Sequence, residues 1–184
     1  MFKRPSEHAQ ESTRRLAQST GTVIWRNARM KSMPDNSPQG VPWSEVIAVL
    51  APARNYWLNV VSPVGSPHVS PVWGAVFGEH LYFYTSRSTV KARNLARDSR
   101  AALHLESAEN VVIIHGRVED IGQPRLSSAV VAVLDTKYDE PGDVGYLPGG
   151  NQSFDVLYRF QPQRALLWRL ADFETSQRRW NSGR

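Results

Sequence analysis

Three apolar, aromatic-rich runs follow one another between Tyr56 and Thr85: Tyr56–Ser62, His68–Phe77 and His80–Thr85. Each is dense in Val, Tyr, Phe and Trp, which suit a pleated, half-buried backbone. The Pro63-Val64-Gly65-Ser66-Pro67 stretch separates the first two, and Phe77-Gly78-Glu79-His80 reads as a tight hairpin between the second and third. The third run passes through Ser86-Arg87-Ser88 into a basic segment, Thr89–Arg97, that predicts a helix capped by Ser88 with Val90 and Leu95 inward. Asp98-Ser99-Arg100 ends it.

Around this unit the remaining elements fall in order. Trp43, Val46, Ile47 and Leu50 share one helical face, with Pro42 suited to the first turn. Ala101–Glu106 and Asn110–Ile121 read as strands, and Pro124–Lys137 as a helix with Val130, Val131 and Leu134 inward. Residues 138–153 are loop by composition, long enough to be functional or mobile. Strands return at Phe154–Phe160 and Ala165–Leu170, broken by Gln161-Pro162-Gln163, before a polar tail holding Trp180. About six strands with one helix in mid-sheet predict a mainly β (α+β) fold, a small antiparallel barrel with flanking helices.

Residues 1–40 are polar and read as an arm, with a short helix possible over Glu7–Gln18 and a linker over Pro34–Gly40; the packed domain is expected over 41–184. Apolar residues make up 41% of the 184, an ordinary globular proportion. No cysteine is present, which excludes disulfides, thiolate nucleophiles and Cys-ligated metal and suits a reducing cytoplasm. No apolar run reaches membrane-spanning length, and the first residues lack the apolar core of a secretory signal. The net charge of +5 permits an anionic partner, but much of it sits at the two ends, which favours solvation over a nucleic-acid surface.

His68, His80, His104 and His115 are scattered over separate strands and turns without metal-ligand spacing, so no metal site is expected. No nucleophile elbow, Walker loop or dinucleotide fingerprint occurs, and Glu119, Asp120, Asp135 and Asp139 fall where surface carboxylates would. No residue stands out as a proton donor. Thr85, Ser86 and Ser88 place hydroxyls, and Lys91 and Arg93 positive charge, around the first turns of a helix. Phosphate binding needs both features, yet a capped, exposed basic helix has the same pattern.

The blocks GSPHVSPVW, LYFYTS, STVKARNL and NVVIIHGRVEDI, in that order and spacing, resemble the pyridoxamine-phosphate-oxidase-like split β-barrel superfamily, and most closely its flavin/deazaflavin oxidoreductase branch. The likeness covers roughly residues 43–180. It implies a six-stranded antiparallel split β-barrel of the FMN-binding type, assembled as a homodimer with FMN or the deazaflavin coenzyme F420 between subunits. Carried over by position, Val69, Ser70, Pro71, Val72 and Trp73 would line the ring. Tyr84, Thr85, Ser86, Ser88, Lys91, Arg93 and Asn94 would form the phosphate pocket, and Trp180 would pack near the ring. Ser70 stands where the true pyridoxamine-phosphate oxidases have an arginine, Val90 where they have a basic residue, and their C-terminal arginine motif is unmatched. The resemblance therefore implies a cytoplasmic reductase that passes hydride from F420, or alternatively FMN, to a small conjugated substrate, without nucleic acid or membrane as partner. Relatives of the same fold that hold flavin or haem without turnover supply the competing expectation, a binding protein.

Overall fold

The computed structural model describes residues 40–149, 151 and 153–183; the arm over 1–39, with its Glu7–Gln18 helix and most of the linker, lies outside them. Six strands close on themselves: β1 (Asn55–Val61), β2 (Pro67–Phe77), β3 (His80–Thr85), β4 (Arg100–His104), β5 (Asn110–Gly122) and β6 (Val156–Arg169). They run in the order β3-β2-β1-β4-β5-β6, and β6 returns to pair with β3, every pairing antiparallel. Closure leaves the barrel no open edge. A seventh strand, β7 (Arg178–Asn181), lies outside the barrel against Arg164–Leu167 of β6. The tail is thus a strand where the sequence reads as polar coil, and Val41 N–H ties to it through Arg179 O at 3.2 Å.

Four α-helices complete the described chain: α1 (Trp43–Leu50), α2 (Val90–Arg97), α3 (Ser128–Lys137) and α4 (Phe173–Ser176). Alternation along the strands sends Tyr56, Leu58, Val60, Phe83, Leu103, Ile114 and Phe160 into one cluster, joined by Val46 and Leu50 of α1 and Leu95 of α2. A smaller cluster forms where Val130, Leu134 and Tyr138 cover Ala75, Tyr82, Tyr84 and Leu157. Leu81 to Thr85 are all buried because β3 has the barrel cluster on one face and this second cluster on the other.

Several local expectations change. Thr89, not Ser88, is the N-cap of α2, its Oγ1 accepting from Ala92 N–H at 3.4 Å. Val90 is 46% exposed, while Ala92, Asn94 and Leu95 face inward. The expected helix over 124–137 is divided at Ser127 into a 3-10 turn (Pro124–Leu126) and α3. Gln161-Pro162-Gln163 does not interrupt a strand: β6 is continuous for 14 residues, with a bulge where His115 faces Arg164 and Gly116 faces Pro162. A bulge accommodates a proline, which has no N–H to give to a ladder. The 138–153 segment contains a 3-10 turn at Val144–Tyr146, and Tyr138, Asp143 and Leu147 are buried, so packing pins what composition marks as loop.

Candidate functional site

A cleft of about 330 Å³ opens between β2, β3, the start of α2 and the side chains of Tyr146 and Phe154. Pro71, Val72 and Trp73 form one wall, Tyr84 and Thr85 the floor, and Lys91 enters from α2. Tyr146 and Phe154 complete it. Its size and mainly apolar lining with one charged group suit a small-molecule site. Another depression, about 360 Å³, lies over β1, β4 and β5 around Arg100 and His115 and holds none of the sequence-predicted residues.

The apolar wall is firmly built. Trp73 stacks on Tyr138, and the Arg54 guanidinium carbon lies 5.6 Å from the centroids of both rings. Arg54 pairs with Asp143 at 2.6 Å and with Glu140 at 3.3 Å, fastening the 138–146 segment to the barrel. The Tyr84 hydroxyl donates to Tyr146 O at 2.8 Å, which holds the outer lip. Burial, with smaller contributions from Tyr138, Asp135 and Asp143, raises the Tyr84 pKa, so its phenol stays protonated and donating.

Lys91 is half-buried, and burial lowers its pKa. The salt bridges among the described residues all join arginines to carboxylates, and none reaches Lys91. A partly desolvated ammonium in an apolar cleft that Thr85 also lines favours an anion there. Asn94 Nδ2 and Ser70 Oγ are also buried without a hydrogen-bond partner among the described residues. Neither lines the cleft, so the fit of an anionic group there rests on Lys91.

Pro71, Val72, Trp73, Tyr84, Thr85 and Lys91 of the sequence-predicted set therefore meet in one cleft. Val69, 48% exposed, and Ser70, Ser86, Ser88, Arg93 and Asn94 do not line it. The hydroxyls of Ser86 and Ser88 bond each other at 2.8 Å, the Arg87 N–H donates to Asp155 at 2.7 Å, and Arg93 donates to Ser88 O. Much of the predicted phosphate turn is thus satisfied internally. Trp180 packs on Trp43, with centroids 4.5 Å apart, and is not among the cleft residues. Sequence reasoning missed Tyr146, Phe154, Arg54 and Tyr138, although aromatic residues inside a Gly/Pro-rich stretch were a usable signal for two of them. Glu119 and Asp120 form ion pairs with Arg159 and Arg87, as surface carboxylates do.

A family model described as pyridoxamine 5'-phosphate oxidase matches residues 37–168. The chain belongs to the pyridoxamine 5'-phosphate oxidase family. Its split barrel is similar to that of a conserved hypothetical protein from Mycobacterium tuberculosis, with 23% identity, a TM-score of 0.59, and 72% of this chain and 88% of that one covered. It is similar as well to a structure described as an F420 reductase, at 25% identity and a TM-score of 0.50, over 62% of this chain and 90% of the other. A heme binding protein from Mycobacterium smegmatis shares the fold at 20% identity and a TM-score of 0.60, over 76% of this chain and 57% of that one. The sequence matches no curated protein at a significant level.

Proposed function

We propose that this protein is an oxidoreductase that uses the reduced deazaflavin coenzyme F420 to reduce a small conjugated substrate. The observation that carries this reading is the half-buried Lys91, without a carboxylate partner among the described residues, in an apolar cleft that Thr85 also lines. The similarity to an F420 reductase supports the choice of coenzyme. When bound, the coenzyme supplies hydride chemistry; the chain supplies binding and orientation. Lys91 and Thr85 hold the phosphate, with Asn94, Ser86 and Ser88 behind them. Pro71, Val72 and Trp73 support one face of the ring, with Val69 and Ser70 further along β2. Tyr146 and Phe154 exclude water from the edge. The active form is a cytoplasmic homodimer in which a second copy closes the open side of the cleft, and Trp180 serves that assembly.

Purified, cofactor-free protein is titrated side by side with F420 and FMN, followed by fluorescence, and again as Lys91→Ala. Tight F420 binding that the variant loses supports the proposal. Preference for FMN assigns the protein to flavin-dependent reductases or oxidases. Stoichiometric binding without oxidation by any acceptor makes it a carrier, and binding of neither coenzyme overturns the reading.

A further inference from the structure

The chain contains four lysines, at positions 3, 31, 91 and 137, so a half-buried one outside the Lys91 cleft is notable. Lys137 ends α3 and turns back beneath β2. Its Nζ donates to Gly74 O and to Tyr56 Oη, both at 2.8 Å, and lies 4.8 Å from the Tyr56 ring centroid. None of the salt bridges among the described residues includes it, and its charged neighbour Arg54 is committed to Asp143 and Glu140. Burial foremost, then Arg54, lowers its pKa to about 8. Lys137 also lines a surface cavity of about 380 Å³ whose other walls are Ala51, Ala75, Val76, Ala132, Val133 and Thr136.

With a pKa of about 8, Lys137 is mostly an ammonium against the Tyr56 and Tyr138 rings at neutral pH and becomes a neutral amine in mildly alkaline solution. A neutral amine has two hydrogens, matching the two fixed acceptors, and keeps its lone pair for the fourth tetrahedral position. A lysine that borders a largely apolar cavity, with no salt bridge to a carboxylate among the described residues, is in an environment in which its neutral form is a nucleophile toward carbonyl carbon. We propose that Lys137 is a covalent capture site for a small apolar aldehyde, held as an imine in the cavity walled by Ala75, Val76 and Val133. In the step, Nζ attacks the carbonyl carbon and the C–N bond forms. The carbonyl oxygen then leaves as water with the two hydrogens of the amine, giving C=N without any change in oxidation state. Protonated from solvent, the imine keeps one N–H, enough for the bond to Gly74 O. The site is two residues along β2 from the cleft wall, since Ala75 lines this cavity and Trp73 the other.

The test is reductive trapping on the full chain. Protein is incubated with a series from ethanal to hexanal and cyanoborohydride, and peptide mapping follows alkylation at Lys137 and Lys91, with Nα-acetyl-lysine amide as reference amine. Lys137 is expected to react about tenfold faster than the reference. Its rate should saturate with aldehyde, and the half-saturating concentration should fall by about fourfold per added methylene, as burial of apolar surface requires. Lys137→Arg abolishes the adduct. A Lys137 rate no greater than the reference, or one that rises linearly with aldehyde and ignores chain length, overturns the proposal. That outcome is read from the unsubstituted protein, so it stands even if the variant folds poorly.

Discussion

The indole of Trp73 lies flat against the phenol of Tyr138, with ring centroids 4.4 Å apart and planes 4° from parallel. This contact joins the cleft to the back of the fold. The Tyr138 hydroxyl accepts from Gly74 N–H at 2.8 Å and is 2.6 Å from Arg54 O, to which it donates. One side chain thus orients the ring behind the cleft and satisfies the backbone beside it. Tyr138→Phe keeps the stack but leaves the buried Gly74 N–H without this bond, a loss of about 1–3 kcal/mol in urea unfolding. Tyr138→Leu should cost about 1 kcal/mol more, because the aromatic pair goes as well. Equal stabilities for the two variants would mean that the stack contributes nothing.

Lys91 predicts a conflict between stability and binding. Its ammonium is half-buried, so Lys91→Met should leave unfolding stability unchanged or raise it by about 0.5–1 kcal/mol. The same change should weaken phosphate-bearing coenzyme by about tenfold or more. Paired denaturation and fluorescence titration check both signs, and a variant that loses stability in proportion to affinity would give Lys91 a structural role.

Lys137 carries a pH signature. Its folded pKa of about 8 lies below the ordinary lysine value of 10.5, so between these the unfolded chain binds more protons than the folded one. Stability from this group therefore rises with pH through that window. Relative to Lys137→Met, the unsubstituted protein should gain about 1 kcal/mol between pH 8 and pH 10, after allowance for solvent on its exposed side. Unfolding of both proteins across that range measures it, and parallel curves would refute it.

Arg54 and Asp143 test how firmly the cleft lip is held. Asp143 is 6% exposed, and Arg54 is its partner at 2.6 Å. Arg54→Ala leaves the Asp143 carboxylate without its partner and should lower unfolding stability, with the double variant Arg54→Ala/Asp143→Ala recovering part of the loss. Faster proteolysis near Tyr146 in the single variant would show that the pair fastens the lip.

Gly116 marks the β5–β6 bulge. A Cβ there would stand 2.2 Å from Gln161 O and 2.9 Å from a Phe160 ring carbon, so the backbone itself would have to move. Gly116→Ala should destabilise by about 2–4 kcal/mol in thermal or urea unfolding. A loss below 0.5 kcal/mol would show that the bulge yields easily.

Strand and helix identity was largely legible in the sequence because it is written locally. Tyr56–Thr85 is dense in Val, Tyr, Phe and Trp and punctuated by Gly and Pro, and β1, β2 and β3 lie within a residue of where those signals place them. The clustering of Trp73, Tyr84, Thr85 and Lys91 was legible too, but through ordered motif blocks rather than periodicity. Tertiary structure decided the rest. Gln161-Pro162-Gln163 looks like a break until β5 is alongside, since a bulge exists only between two strands. Whether Val90 or Asn94 faces inward depends on which side of α2 meets the barrel, and eight residues with a low apolar content do not determine that side. The largest difference lies at 138–147, where composition reads loop. Tyr138, Asp143 and Leu147 are buried by partners at Trp73, Arg54 and the α3 cluster, all distant in sequence or contributed by another element. A sequence states local preference and motif order; which polar segment becomes the wall of a cleft is set by contacts that form only when the barrel closes.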